Sequence, residues 1–212
     1  MVERFTRKQT RSVRNRAKSI IKALRKGLKD KYIFDDRLVG SARWNIITKN
    51  KGDYWDLDYQ FLLTKRSKKY KENKLSKPTE IKNDFFNCLN DKYNNDRNIK
   101  VENSTTAITF INKSEKYSID FVIIKLLPEN KEIIRRNIKK ETITLNEYTW
   151  NELPKYNEAY NKFKKLTPKE KQDLIENYVL PRKIKEKSKG ENDETKKSSS
   201  EVLVEEINNY VS

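Results

Sequence analysis

The chain has 212 residues, of which 34% are hydrophobic, and its 48 Lys and Arg exceed its 31 Asp and Glu by a net charge of +17. It contains no histidine, which excludes Ser-His-Asp hydrolase chemistry, Cys-His proteases and ordinary zinc sites. No apolar run predicts a membrane span, and the single cysteine, Cys88, excludes an internal disulfide. We expect a cytoplasmic protein with one main domain. Its positive charge indicates a polyanionic partner or, equally, compositional drift toward Lys, Asn and Ile.

The N-terminal region is predicted to be a basic arm, residues 1–11, followed by a helix over residues 12–28. In that helix, apolar residues recur on one face and Arg and Lys occupy the other. The apolar face comprises Val13, Ala17, Ile20, Ile21, Leu24 and Leu28. The basic face is either an RNA-binding surface or the solvated side of a packed helix, and the second is the more common case.

The stretch from Leu38 to Leu63 is predicted to be a strand, a Gly40-Ser41 turn, a basic loop and a second strand. On the second strand, Asp56 and Asp58 alternate with apolar residues, so both carboxylates point to one face. Adjacent carboxylates repel each other, whereas a divalent cation such as magnesium binds carboxylate and phosphate oxygens together. The turn supplies backbone N–H groups and a hydroxyl that suit a phosphate. This stretch therefore predicts a metal and phosphate site.

The middle of the chain is predicted to be a charged loop, a helix and three strands. The loop, residues 64–77, contains seven Lys and Arg and is expected to be solvated, with contact to a nucleic-acid backbone as the alternative. The helix is predicted over residues 79–93 from the spacing of its apolar residues. The strands are predicted over residues 99–102, 107–112 and 117–126. The sheet is expected to end at Leu127-Pro128.

Asp120 stands alone as a charge within the apolar part of the third of these strands. A buried carboxylate without a partner is costly, so this side chain needs one. The candidates are a salt bridge to a lysine and a metal ion shared with Asp56 and Asp58. The upstream pair of carboxylates favours the metal.

The C-terminal residues 146–212 are predicted to form a small helical part. One helix is expected near residues 156–163, and Thr167-Pro168-Lys169-Glu170 predicts the capping box of another, which Pro181 would end. Residues 182–197 are charged and of low complexity, which predicts a linker. Ser198 and Glu201 predict a second capping box and a final helix.

Two motifs together resemble a known family. Val39-Gly40-Ser41, followed by Asp56-Leu57-Asp58-Tyr59, resembles the signature of the DNA polymerase β-like nucleotidyltransferase superfamily. The resemblance implies an α+β fold, with a twisted mixed sheet, flanking helices and a small helical C-terminal part. It implies a catalytic core over residues 12–145, with Asp120 as the third carboxylate.

The resemblance also implies roles for individual residues. Asp56, Asp58 and Asp120 would be catalytic and would hold two Mg²⁺ or Mn²⁺ ions. The nucleoside triphosphate would be bound by Ser41 with the Gly40 backbone. Arg43, Lys49 and Lys51 of the intervening loop would neutralise its charge or are simply solvated, and the second is the more common case. Tyr148 and Trp150 are expected to be stacking residues for the base.

The implied reaction is transfer of a nucleoside monophosphate from a triphosphate to a hydroxyl, with release of pyrophosphate. Within the superfamily the pattern is most similar to the cyclic-oligonucleotide and oligoadenylate synthases, which make nucleotide second messengers. A nucleotidyltransferase that modifies tRNA or a small molecule, including toxins, is an alternative, and the acceptor is expected to be RNA or a nucleotide. The same residues are also compatible with a non-enzymatic nucleic-acid-binding protein, and with an inactive homologue whose C-terminal helices bind a protein.

Overall fold

The computed structural model describes residues 2–50, 52–64, 77–127, 131–136, 147–153, 157–189, 195 and 197–211. The fold is α+β, as predicted. The strands are β1 Val2–Arg4, β2 Phe34–Val39, β3 Thr48–Asn50, β4 Trp55–Leu63, β5 Ile99–Asn103, β6 Ala107–Asn112, β7 Tyr117–Leu126, β8 Lys131–Arg136 and β9 Tyr148–Glu152. The helices are α1 Arg11–Gly27, α2 Gly40–Arg43, α3 Pro78–Tyr93, α4 Asn157–Lys165, α5 Pro168–Asp173, α6 Leu180–Ser188 and α7 Ser199–Tyr210.

The main sheet is mixed and has the strand order β2-β4-β7-β6-β5, with β8 pairing β7 and β9. Strands β4 and β7 are parallel, and the other pairs are antiparallel. Alternate residues of β4 and β7 are buried on one face, where helices α1 and α3 cover them. The predicted helices over 12–28 and 79–93 and the three central strands are thus confirmed within one or two residues.

The sheet extends further than the sequence indicated. Strands β8 and β9 follow Leu127-Pro128, so the prediction that the sheet ends there is wrong. Residues 148–152, predicted as the start of a helical part, form a strand of the sheet instead. The short strand pairing of β8 with the end of β7 was missed because its sequence, KEIIRR, is mostly charged.

The N-terminal arm is attached to the fold rather than loose. Strand β1 pairs antiparallel with β3, and the Phe5 ring stacks on Trp55 with 5.1 Å between ring centroids. The predicted loop over residues 64–77 falls, apart from its two ends, outside the described residues.

The C-terminal helices pack around a second apolar core. Both predicted capping boxes are present, at Thr167–Glu170 and at Ser198–Glu201. The prediction that Pro181 ends a helix is wrong, because a π-helical segment, Leu174–Val179, joins α5 to α6. Proline cannot donate a backbone hydrogen bond, and a wider π turn just before it accommodates the loss. Residues 182–188 are therefore helical and not part of a linker.

No helix in the described ranges is long and apolar enough to cross a bilayer.

Candidate active site

The strand register brings the three predicted carboxylates together. Strands β4 and β7 run parallel, with Asp58 directly opposite Asp120 and Asp56 opposite Ser118. Since residues two apart on a strand share a face, all three carboxylates lie on the face opposite to α1 and α3. Thr109 of β6 lies opposite Asp120 on its other side.

Gly40 is required by the close approach of β2 to Asp58. Val39 pairs with Asp58, and the chain then turns at Gly40 with a φ of +60° into the one-turn helix α2. A Cβ at Gly40 would lie 2.0 Å from Asp58 Oδ2, so both the backbone angle and the space exclude a side chain there. The glycine of the motif therefore lets the backbone pass directly over a carboxylate.

The electrostatics show how closely the acidic groups interact. The pKa of Asp58 is raised to about 7, chiefly by burial and then by the negative charges of Asp56 and Asp120, with Lys183 opposing the shift. Burial also raises the pKa of Asp120, against a hydrogen bond from Thr109. Asp120 Oδ1 is buried and has no hydrogen-bond partner within the described residues. A nearby cation would stabilise the charged form of such a group.

These residues suit a divalent ion by their chemistry. As they stand, no three Asp, Glu or Cys side chains of the described residues are arranged to hold one. The backbone register nevertheless aligns three hard oxygen donors, one of which has an orphaned oxygen. Mg²⁺ and Mn²⁺ prefer such ligands, and the ion's charge would remove the repulsion between them. Because the three carboxylates do not converge as they stand, binding of an ion would require their side chains to rotate.

A residue that the sequence did not indicate, Lys183 of α6, completes the site. Its side chain is 3% exposed, and its Nζ donates to Ser41 Oγ at 2.6 Å and to the Ile46 carbonyl at 2.6 Å. The pKa of Lys183 is lowered to about 8, mainly by burial and then by Lys187, while Asp56 and Asp58 oppose the shift. Lys183 lies in a charged, low-complexity segment that predicted a linker, so the sequence did not indicate its role. Its i, i+4 spacing from Lys187 is nevertheless typical of two residues on one helix face.

The remaining predicted phosphate-binding residues are placed less centrally. Arg43 is exposed in α2, with its guanidinium 4.9 Å from the Trp44 ring centroid. Lys49 lies in β3 of the separate two-stranded sheet, 5.0 Å from the ring of Phe5. Lys51 falls outside the described residues.

The prediction that Tyr148 and Trp150 stack on a base is wrong. Both lie in β9 on the helix-covered face of the sheet, opposite to the carboxylates. Tyr148 is 3% exposed and packs over the buried Lys82 ammonium, 4.4 Å from its ring centroid. Trp150 packs at the edge of the same core.

The geometry can be compared with that of known proteins. No family model and no curated protein matches the sequence. The STING-associated CdnE c-di-GMP synthase of Capnocytophaga granulosa matches with a TM-score of 0.59 and 16% identity, over 99% of this chain and 63% of that chain. The Elizabethkingia meningoseptica CdnE cyclic dinucleotide synthase, with GTP and Apcpp, matches at 0.56 and 16%, over 92% and 68%. The Vibrio cholerae DncV cyclic AMP-GMP synthase, with a linear intermediate, matches at 0.56 and 13%, over 84% and 47%.

The chain has the nucleotidyltransferase fold. At these identities the similarity establishes the fold of the chain, as the Gly-Ser and Asp motifs predicted. This nucleotidyltransferase fold spans about half the length of the DncV chains that it matches.

We predict that Asp58→Asn stabilises the protein at neutral pH. A folded-state pKa of about 7, above the usual 3.8, means that ionisation of Asp58 opposes folding. This penalty is absent near pH 4, grows as the pH rises toward 7 and is complete above it. Urea unfolding at pH 8 should give a variant more stable by about 1–3 kcal/mol, and the difference should shrink toward pH 4.

Asp30→Asn is the matched control, since Asp30 is exposed and lies outside the site. An equal effect of both substitutions, or an Asp58→Asn effect that does not depend on pH, would contradict the electrostatic description of the site.

Proposed function

We propose that this protein is a metal-dependent nucleotidyltransferase. It would transfer a nucleoside monophosphate from a nucleoside triphosphate to an acceptor hydroxyl and release pyrophosphate. The observation that carries the proposal is the pairing of Asp58 with Asp120 beside the Ser41–Lys183 contact. Oxygen ligands for a cation and donors for a phosphate thus meet at one end of the β2-β4 hairpin.

Each group has a distinct part in this reaction. Ser41 Oγ and Lys183 Nζ would bind the triphosphate and neutralise charge that develops on the leaving pyrophosphate. Asp56, Asp58 and Asp120 would hold Mg²⁺ or Mn²⁺, which when bound polarises the phosphates and makes the acceptor hydroxyl more acidic. The acceptor oxygen would attack the α-phosphorus as the bond to the pyrophosphate oxygen breaks. The hydroxyl proton would leave to a carboxylate of this group.

Lys183 is placed where it could bind a phosphate. Its ammonium already donates to Ser41 Oγ, so the hydroxyl and the ammonium are held beside each other before any ligand arrives. A triphosphate would raise the pKa of Lys183 again, since a nearby anion favours the charged form of a lysine. Arg43, Lys49 and Lys51 stay proposals as further phosphate ligands, and the first two would act from the periphery of the site.

The product class that we propose is a nucleotide second messenger. The solved structures with this fold include a cyclic dinucleotide synthase with GTP and Apcpp, a cyclic AMP-GMP synthase and a c-di-GMP synthase. The same core would serve a nucleotidyltransferase that modifies tRNA or a small molecule, so the labelled product has to be identified.

We predict that pyrophosphate release requires the paired carboxylates. The protein is incubated with each labelled nucleoside triphosphate and Mg²⁺ or Mn²⁺, with and without total tRNA. Asp56→Ala/Asp58→Ala should abolish release, and Lys183→Gln should reduce it by on the order of 100-fold, as loss of a charge-stabilising donor does. The labelled product identifies the acceptor.

Asp30→Ala is the control for loss of an exposed acidic residue. Pyrophosphate release that persists in the double variant, or no release from the wild type under any condition, would overturn the proposed function.

A second candidate function, RNA binding, is favoured by helix α1. Residues 4–29 contain eleven Lys and Arg and no Asp or Glu. Several of these cations are exposed along one side of α1 and just beyond it, namely Arg11, Lys18, Lys22, Lys26 and Lys29. Successive helical turns are about 5 Å apart, so these side chains form a row of positive charge that can face a phosphate backbone.

If α1 binds RNA, Lys18→Gln/Lys22→Gln/Lys26→Gln should weaken binding of an RNA duplex and lower its salt dependence by about one unit of slope per lysine. The measurement is fluorescence anisotropy at several salt concentrations. Lys113→Gln/Lys169→Gln/Lys185→Gln removes three exposed lysines elsewhere as a control. Equal losses in both triple variants would show that the net charge, and not α1, binds the RNA.

A further inference from the structure

An arginine of helix α1, Arg14, is bound to the one-turn helix α2 that carries Ser41. Its guanidinium donates to the Ala42 carbonyl of α2 at 2.7 Å and to Thr10 Oγ1 at 3.0 Å. Thr10 comes directly before the first residue of α1 and is fully buried. Arg14 therefore joins the start of α1 to the residue that follows Ser41.

Helix α2 is too short to maintain its shape without outside contacts. Its four residues form a single turn, and the first turn of a helix fixes several backbone angles for one hydrogen bond. The last carbonyls of a helix also lack partners within it. Here the Ile46 N–H donates to the Ser41 carbonyl at 3.0 Å, and Arg14 binds the next carbonyl, that of Ala42. The position of Ser41 thus depends on both contacts.

The two hydrogen bonds are formed at a cost in charge. Arg14 is half-buried, and burial lowers the pKa of its guanidinium, while Tyr59 opposes the shift. No carboxylate among the described residues is a source of that opposition. A guanidinium can donate in two directions from one rigid plane, which is what its two acceptors require. Arg14 therefore serves this part of the fold by its hydrogen bonds and not by an ion pair.

Arg14 lies outside the triphosphate site. Helix α1 covers the face of the sheet opposite to the carboxylates, and the residue of β4 that interacts with Arg14 is Tyr59, which is buried in that core. On β4, the side chains of Tyr59 and Asp58 point to opposite faces. The route by which Arg14 can influence a phosphate at Ser41 is therefore the backbone of α2.

We propose that Arg14 is a positioning residue, which fixes Ser41 in place for the triphosphate and does not contact the triphosphate itself. The inference rests on the proposed function for the role of Ser41. It makes a distinction that can be measured, because Arg14→Lys keeps the positive charge but loses the planar fork that binds two acceptors. An effect of position and a direct effect of charge therefore differ in that variant.

The first experiment measures whether Arg14 holds α2, by hydrogen exchange of single amides in the folded protein. The Ile46 amide reports on α2 because it donates to the Ser41 carbonyl. Arg14→Gln should raise its exchange rate by about threefold to tenfold, as loss of one hydrogen bond does. Arg97→Gln removes an exposed arginine outside α1 and α2 as the control. Equal exchange of this amide in Arg14→Gln and in the control would overturn the proposal.

The second experiment measures whether the effect reaches a bound phosphate, by isothermal titration calorimetry with inorganic tripolyphosphate as the probe. Arg14→Gln should raise the Kd by about threefold to tenfold, and Arg14→Lys should recover at most part of that loss. Ser41→Ala should also raise the Kd. Adding Arg14→Gln to Ser41→Ala should cause no further rise, because a positioning residue acts through the group that it positions.

Two results would overturn the proposal. Additive effects of Arg14→Gln and Ser41→Ala, or full recovery by Arg14→Lys, would show that the charge of Arg14 acts on the phosphate directly. Thr10→Val replaces Arg14→Gln if the latter does not fold, since it removes one acceptor of the guanidinium and leaves the Ala42 carbonyl in place. Its Kd should rise by about twofold, and an unchanged Kd would likewise overturn the proposal.

These experiments separate the inference from the proposed function. Binding of tripolyphosphate without pyrophosphate release from any nucleotide would contradict the proposed function, while the paired substitutions still decide the role of Arg14. No binding of tripolyphosphate by the wild type would contradict the phosphate role of Ser41. It would overturn the inference as well, whatever the hydrogen exchange shows.

Discussion

The site depends on the repulsion between carboxylates that the strand register forces together. Asp58 and Asp120 are paired across parallel strands, and Asp56 lies two residues away on the same face. Burial prevents water from screening these charges, and the raised pKa of Asp58 is the consequence. Such an arrangement opposes folding at neutral pH unless cations compensate for it. Lys183 supplies one of these charges, and a divalent ion would supply the rest.

The positive charge of Lys183 links the C-terminal helices to the strands that carry the carboxylates. Lys183 belongs to the C-terminal helices, yet its ammonium is bound to Ser41 and to the Ile46 carbonyl, just after the Gly-Ser turn. One turn further along α6, Lys187 donates to the Thr48 carbonyl. Ile46 and Trp44 pack into the apolar core of the same helices. The C-terminal helices therefore hold the loop that carries Ser41, the proposed phosphate ligand, in addition to contributing a charge.

Local sequence patterns were sufficient to predict much of the fold and of the site. The alternation of Asp56 and Asp58 with apolar residues fixed their common face, and the isolated charge of Asp120 indicated a partner. The spacing of apolar residues gave α1 and α3, and Ser-x-x-Glu and Thr-x-x-Glu gave the two capping boxes. Each of these signals acts over a few residues and needs no knowledge of the remaining chain.

Long-range contacts were not predictable in the same way. Lys183 lies 142 residues from Ser41, and its charged surroundings resemble a solvated linker. Strands β8 and β9 have little apolar alternation of their own. Only the pairing of β8 with the end of β7, and of β9 with β8, identifies them as strands. Tyr148 is aromatic, as many ligand-stacking residues are. Its position beneath α3 follows from the pairing of β9 with β8, which the local sequence does not reveal. Pro181 was expected to end a helix. The helix continues past it because the preceding π-helical segment, Leu174–Val179, accommodates the proline.

The most direct test of this account is the thermal stability of the protein with and without a divalent cation. The wild type should melt at a higher temperature as Mg²⁺ or Mn²⁺ is added, because the ion binds the folded state and removes the repulsion between carboxylates. Asp58→Asn and Asp120→Asn should show little or none of this shift, while Asp30→Asn should match the wild type. A cation-dependent shift that is equal in all four proteins, or absent from the wild type, would contradict the central claim that these aspartates form a metal site.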